Sequence, residues 1–289
     1  MQQVKLAVLI NYKDRPTELC LLLQSLRTQT YQDFDIFILD DCSGSLLTNY
    51  HFFNCLVQLI MSEGHKVFLS RTEFPYGVSR ARQKIVDNAK DDYEFLMRVD
   101  DDCILKEDYI DQLFMVIDEG YDLATGVTIP FSPIIKRETR FLKGICGRII
   151  LDNDGKRILD NDDCGMPYVD SVILPAHQFR SCALYKSAVH KSVNYTPTKL
   201  SMNGYREETL FSLKLLMTGF KLGFNSQAVN YHLACPSGGE RSTMNLAPFN
   251  QGVLDDFIKE NKHQLIEILN DGTTYDPLEL NKETNLARK

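Results

Sequence analysis

No apolar run in this 289-residue chain approaches the ~20 residues needed to cross a bilayer. The longest, Val4 to Ile10 and Phe34 to Leu39, have the length of single strands. The first residues, Met-Gln-Gln-Val-Lys-Leu, lack the basic segment, apolar stretch and small-residue cleavage site of a signal peptide, so a cytoplasmic location is expected. The cysteines (Cys20, Cys42, Cys55, Cys103, Cys146, Cys164, Cys182 and Cys235) show no Cys-x-x-Cys pair or zinc-like spacing. Buried thiols are therefore expected rather than a disulfide framework or structural zinc. Positive charge is not in excess either: 32 Lys+Arg stand against 39 Asp+Glu, a formal −7. That balance disfavours a general nucleic-acid or anionic-membrane binder, while a peripheral membrane contact through a local patch stays open. No internal repeat and no linker-like stretch interrupts the middle. What remains, 44% hydrophobic and 25% charged, is the composition of a globular protein long enough to bury a real core.

Within that composition, apolar runs alternate with segments of helical spacing. Val4 to Ile10 reads as a strand buried on both faces, followed by the polar turn Asn11 to Arg15 and a helix that starts at Pro16. Phe34 to Leu39 is a second strand, and apolar positions from Leu46 to Ile60 predict a helix. Lys66 to Ser70 predicts a strand, Gly77 to Ala89 a helix, Tyr93 to Val99 a fourth strand and Ile104 to Glu119 another helix. Strand–helix–strand units of this length imply an α/β architecture, a mostly parallel sheet flanked by helices. Beyond residue 120 the pattern becomes mixed. Strands are expected at Tyr121 to Ile129, Gly144 to Leu151, Val169 to Leu174 and Arg180 to Tyr185, with a hairpin turn at Asp152-Asn153-Asp154-Gly155. Tyr205 to Thr218 reads as a helix, Lys221 to Phe224 and Ala228 to Leu233 as two strands, and Val253 to Leu269 as one helix before a polar tail.

The chemistry-bearing residues gather where a parallel sheet binds ligands, at the carboxyl ends of its strands. Asp100-Asp101-Asp102 ends the fourth predicted strand, and three adjacent carboxylates there call for a compensating charge. A hard divalent cation bound together with substrate phosphate would supply it; a solvated acidic turn is the simpler alternative. Asp40-Asp41 ends the second strand, where a carboxylate can accept hydrogen bonds from a nucleobase or merely start a helix. Arg71, Arg80 and Arg82 flank Gly77 and could face a pyrophosphate or pair at the surface. Glu207-Glu208 opens a helix, as a general base or as plain complements to the helix dipole.

Val8 to Pro16, then Ser25 to Ser43 with its Gln29-Thr30 and Asp40-Asp41-Cys42-Ser43, resemble the opening of family 2 glycosyltransferases of the GT-A fold. Gly77-Val78-Ser79-Arg80-Ala81-Arg82-Gln83 resembles the next family segment, with Gln83 where the family usually has Asn. Asp100-Asp101-Asp102 stands where that family carries its DXD motif, and Glu207-Glu208 where it carries a Glu-Asp pair. The resemblance implies a Rossmann-like, mostly parallel central sheet with a smaller mixed β portion on the acceptor side. Residues 1–120 would form the nucleotide-sugar-binding half, 121–250 the acceptor-binding and catalytic half, and 251–289 a C-terminal helix and polar tail. It implies a metal-dependent inverting transfer from a nucleotide-diphosphate sugar, a UDP-sugar foremost, to a hydroxyl of a glycan or other glycoconjugate, as in polysaccharide biosynthesis.

The resemblance also assigns roles. Asp41 would read the base, with Tyr12 and Asp14 lining the nucleoside pocket. Asp100 and Asp101 would complete the donor site, together with Arg71 and Arg82 if these face the pyrophosphate as their place around Gly77 allows. Asp102, Asp100 and His232 would hold Mn²⁺ or Mg²⁺, although His232 could equally be a structural histidine. Glu208, or its neighbour Glu207, would be the base. Apart from the resemblance, the composition of the Ser237 to Arg241 loop suits a lid in which Arg241 meets phosphate, or equally a linker. A sugar-nucleotide-forming nucleotidyltransferase is the rival enzyme, against which Asn11 to Arg15 offers no glycine-rich loop. A catalytically silent nucleotide-sugar binder is the other rival.

Overall fold

The computed structural model describes residues 5–130, 145–160, 171–195, 199–235, 239 and 246–272. Its organising feature is one sheet in the order β3-β2-β1-β4-β10-β6-β11-β5, with β9 also paired to β11. The first half is parallel. β1 (Leu6–Tyr12) lies between β2 (Phe34–Asp40) and β4 (Phe95–Asp100), and β3 (Val67–Arg71) extends the sheet beyond β2. β1 and β2 are apolar along almost their whole length because helices cover both faces. Leu6, Val8 and Ile10 pack with α1 (Pro16–Arg27), α2 (His51–Ser62) and α4 (Tyr109–Asp118), whereas Ala7 and Leu9 pack toward α3 (Val78–Asp87) and α5 (Glu207–Met217).

Beyond β4 the sheet is mixed, as expected. β10 (Ala183–Lys186) inserts antiparallel between β4 and β6 (Leu123–Pro130), so strands distant in sequence close the core. β7 (Ile149–Leu151) and β8 (Arg157–Asp160) form the hairpin whose turn the Asp152-to-Gly155 stretch announces. The apolar side of that hairpin meets α5, α6 (Ala247–Glu260) and α7 (Lys262–Leu269) through Leu210, Leu254, Ile258 and Leu265.

Four expectations are corrected. The helix expected from Leu46 begins at His51, after a single 3₁₀ turn at Leu47–Asn49. The helix expected from Ile104 starts only at Tyr109, because Cys103–Leu105 forms a short strand, β5, paired antiparallel to β11. The two strands expected at Lys221–Phe224 and Ala228–Leu233 are one strand, β11 (Leu222–His232), whose polar Asn225-Ser226-Gln227 makes a bulge. It pairs with β9 (Ile173–Pro175) before the bulge and with β5 after it. The C-terminal helix breaks in two at Asn261, whose side-chain amide donates to the Phe257 carbonyl and competes with the helix ladder. Arg241 and the polar tail from residue 273 lie outside the described residues. No helix among the described residues is long and apolar enough to cross a membrane.

The bulge dictates one glycine. A Cβ on Gly126 would sit 2.1 Å from the Ala228 carbonyl oxygen, a backbone atom that cannot step aside. Gly252, in contrast, lies within α6 with nothing near its Cβ position. Gly126→Ala is therefore expected to lower stability by about 1–3 kcal/mol. Gly252→Ala should raise it by about 0.5–1 kcal/mol, the helix penalty of glycine. Urea unfolding midpoints check both signs.

Candidate active site

Parallel pairing aligns the ends of β1 and β4, with Asn11 opposite Asp100, where neighbouring strands lead off in opposite directions. A cavity of about 370 Å³ opens there. Its floor and walls come from the β1 loop (Asn11 to Lys13, Arg15), Asp41, the start of α3, Asp100 to Asp102, Gln178 to Ser181, Asn203 to Thr209 and His232. The structure thus gathers acidic residues and arginines from both halves of the chain around one space.

The triple aspartate divides its labour. Asp101 is buried, accepts the Lys13 backbone N–H at 3.2 Å and pairs with Arg15 at 2.9 Å. Burial and the neighbouring Asp102 push its carboxyl up to about 7, against Arg15. It ties the β1 loop to the end of β4. Asp100 and Asp102 instead join His232: each of the three offers a ligand atom, and these atoms lie within 4.8 Å of one another. His232 reaches them because β5 pairs with β11 in a register that sets His232 opposite Cys103, and the Leu233 N–H donates to the Asp102 carbonyl at 2.8 Å. The His232 Nε2 lies 3.2 Å from Asp102 Oδ1, and Arg15 lies 3.0 Å from Oδ2. Burial opposes ionisation of Asp102, yet the hydrogen bond and charge of His232, together with Arg15, outweigh it and hold the carboxyl below its ordinary value. Two carboxylates and an imidazole are a competent donor set for Mn²⁺ or Mg²⁺.

The two glutamates at the start of α5 have different surroundings, since successive helical residues point about 100° apart. Glu207 is buried and holds both Arg82 Nε and Arg98 Nη1 at 2.8 Å. Burial pushes its carboxyl up to about 7 against those two cations. Glu208 retains 27% side-chain exposure, lines the cavity and meets Arg98 at 3.0 Å. Arg82 continues to Asp100 at 2.7 Å. Burial works against charge on Asp100 too, but Arg82 and Arg98 prevail and hold it down at about 2.

On the β2 side, Asp41 lines the cavity but already accepts backbone N–H groups from Tyr76 (2.7 Å) and Gly77 (2.9 Å) and the Thr72 hydroxyl (3.1 Å). It thereby shapes the loop entering α3. Asp14 bridges to the next loop by accepting the Gly44 N–H at 2.7 Å, and Tyr12 is enclosed on the cavity wall. Arg71 is outside the cavity lining and pairs with Asp40 at 2.8 Å. Asp14, Cys42, Arg206 and Ala234, all non-glycine residues with positive φ, stand in four loops at these strand and helix ends. Strain of this kind, roughly 1–3 kcal/mol each, concentrates where a site must be held open.

Sequence reasoning passed over Arg15 and Arg98. Each is a lone arginine beside a motif, and only tertiary pairing shows that Arg98 sits under both glutamates, stacked 5.0 Å from the Phe179 ring. Arg98→Met is expected to cost about 3–5 kcal/mol, because it leaves Glu207 with one cation fewer in a buried site. A carboxyl whose folded-state value is raised loses stability as pH rises through that value. The loss should therefore be smaller at pH 5 than at pH 8, and Glu207→Gln in the same chain should recover part of it. Denaturation at the two pH values measures both effects.

No curated protein matches this sequence. Among solved structures, TarS from S. aureus (residues 1–349, in complex with UDP) is similar at 16% identity and a TM-score of 0.55, covering 80% of this chain and 61% of that one. GalNAc-T7 with UDP, GalNAc and Mn²⁺ is similar at 18% identity and a TM-score of 0.62, covering 82% of this chain and 44% of that one. At such identities the likeness is one of fold, and it agrees with the GT-A architecture expected from the sequence. The chain spans about three fifths of the length of that TarS structure. The description Glycosyl transferase family 2 matches residues 7–174, more than half of the chain. Nearly all of β1, with β2, β3 and β4, the Asp41 loop and the acidic end of β4 fall within that stretch, and the chain belongs to glycosyltransferase family 2.

Proposed function

We propose that the chain is an inverting glycosyltransferase that moves a sugar from a nucleotide-diphosphate donor, a UDP-sugar foremost, to a hydroxyl of a glycan or other glycoconjugate. The observation that carries this reading is one cavity that holds both the Asp100–Asp102–His232 donor set and a partly exposed glutamate, Glu208. Similar folds bind UDP, UDP-GlcNAc and, in GalNAc-T7, Mn²⁺. A divalent cation at Asp100, Asp102 and His232 would, when bound, neutralise charge on the donor diphosphate.

The chain's own residues supply the rest. Asp41 and Tyr12 line the cavity and would meet the nucleoside, with the Asp41 oxygens held in place by the Tyr76 and Gly77 amides, while Asp14 lies outside the lining and ties the β1 loop to Gly44. Glu208 takes the proton of the acceptor hydroxyl as its oxygen bonds to the anomeric carbon. The bond from that carbon to phosphate breaks on the opposite face, and its electron pair leaves with the nucleoside diphosphate. Arg98 holds Glu208 through Oε1, and the second glutamate, Glu207, serves as the buried counter-charge of Arg82 and Arg98. Arg82 orients Asp100.

UDP release from a panel of UDP-sugars tests the assignment. Transfer should stop on chelation and return with Mn²⁺, and Asp102→Ala should abolish it in a folded protein. Full turnover by that variant refutes the metal site. Glu208→Gln should lower turnover by about 10²–10⁴-fold with donor affinity unchanged. A retained rate in Glu208→Gln would remove Glu208 from the role of base.

A further inference from the structure

We propose that Tyr205 is the platform on which a pyranose ring of the acceptor stacks, so that the acceptor is recognised as a carbohydrate by an aromatic face beside the base. This rests on the glycosyltransferase reading and deepens it. Among the described residues, the aromatic side chains lining the cavity are Tyr12, Phe179 and Tyr205. Tyr12 and Phe179 are each 1% exposed and belong to the core, whereas Tyr205 is 38% exposed. It alone of the three offers ring surface to a ligand.

The loop that carries Tyr205 is built to hold it still. The Tyr205 N–H donates to Asn203 Oδ1 at 3.0 Å, and that oxygen also accepts from Asn250 Nδ2 at 2.7 Å. Asn250, fully buried in α6, accepts the Ser201 N–H at 2.7 Å with its own carbonyl. Gly204 is left-handed, and a Cβ there would meet the Val78 side chain at 2.6 Å. Arg206 stacks its guanidinium 5.0 Å from the Tyr205 ring centroid and is itself fixed by Gln251 at 2.8 Å and Asp160 at 3.2 Å. A ring immobilised in advance loses little entropy when it meets a ligand. The apolar C–H face of a pyranose suits an aromatic face, while its hydroxyls stay with polar groups.

Position assigns the ring to the acceptor. Tyr205 is three residues before Glu208, in the loop that leads into α5, and so stands beside the base.

The chain has no tryptophan, so Tyr205→Trp introduces a single indole at the proposed platform. Its emission is followed as cello-, malto- and chito-oligosaccharides are added in the presence of UDP and Mn²⁺, with Phe52→Trp on α2 as the remote control. The expected result is a saturable shift for Tyr205→Trp with at least one series and none for Phe52→Trp. Saturation-transfer NMR on the unlabelled proteins should then show Tyr205→Leu binding that saccharide about two- to tenfold more weakly, with Tyr205→Phe unchanged. No shift with any series while UDP still stabilises the protein, or equal binding by Tyr205→Leu, overturns the platform and leaves the donor site standing. Saccharide binding without any UDP binding would support the platform and overturn the transferase reading.

Discussion

Negative charge at the carboxyl end of β4 is the constraint that the rest of the structure answers. Asp100, Asp101 and Asp102 follow a strand buried on both faces, and they cannot simply turn outward to water. Arg15 reaches over from the β1 loop, Arg82 from α3 and Arg98 from β4 itself. His232 arrives on β11. All but the Arg98–Asp100 pair join two chain segments, so the electrostatic solution and the closure of the cavity are largely the same set of contacts. Buried ion pairs add little net stability once desolvation is counted, and a network like this one is better understood as fixing geometry than as holding the fold together.

The glutamate pair shows how the same network can tell neighbours apart. Glu207 and Glu208 are adjacent and chemically identical, yet one is locked between two guanidiniums and the other keeps one oxygen on Arg98 and partial access to the cavity. A general base needs access to the proton it takes, and a buried, doubly paired carboxylate lacks it. The longer arm of glutamate, compared with the aspartate usual at the second position in the resembled family, is accommodated by this placement.

Much of the parallel half of the sheet was legible from the sequence for a physical reason. Parallel strands covered on both sides must be apolar throughout, so Val4 to Ile10 and Phe34 to Leu39 announce themselves, and the acidic residues that end β2 and β4 mark one edge of the sheet. What escaped was set by tertiary pairing. Cys103-Ile104-Leu105 reads locally as the approach to a helix, and only β11 makes it a strand. The polar Asn225-Ser226-Gln227 separates two apolar segments that read as two strands, although the chain absorbs those residues as a bulge in one. Both errors bear on the site, because β5 and the continuous β11 are what carry His232 to Asp102. Arg98 was invisible for a different reason: a single arginine inside an apolar strand has no pattern, and its meaning appears only beside Glu207, Glu208 and Phe179.

Electron spin-echo spectroscopy of Mn²⁺ added with UDP probes that corner most directly. The native protein should bind one manganese with a nitrogen coupling from an imidazole, and His232→Ala should keep a bound ion but lose the coupling. A native protein that leaves manganese free in solution, or a coupling that survives in His232→Ala, would contradict the account.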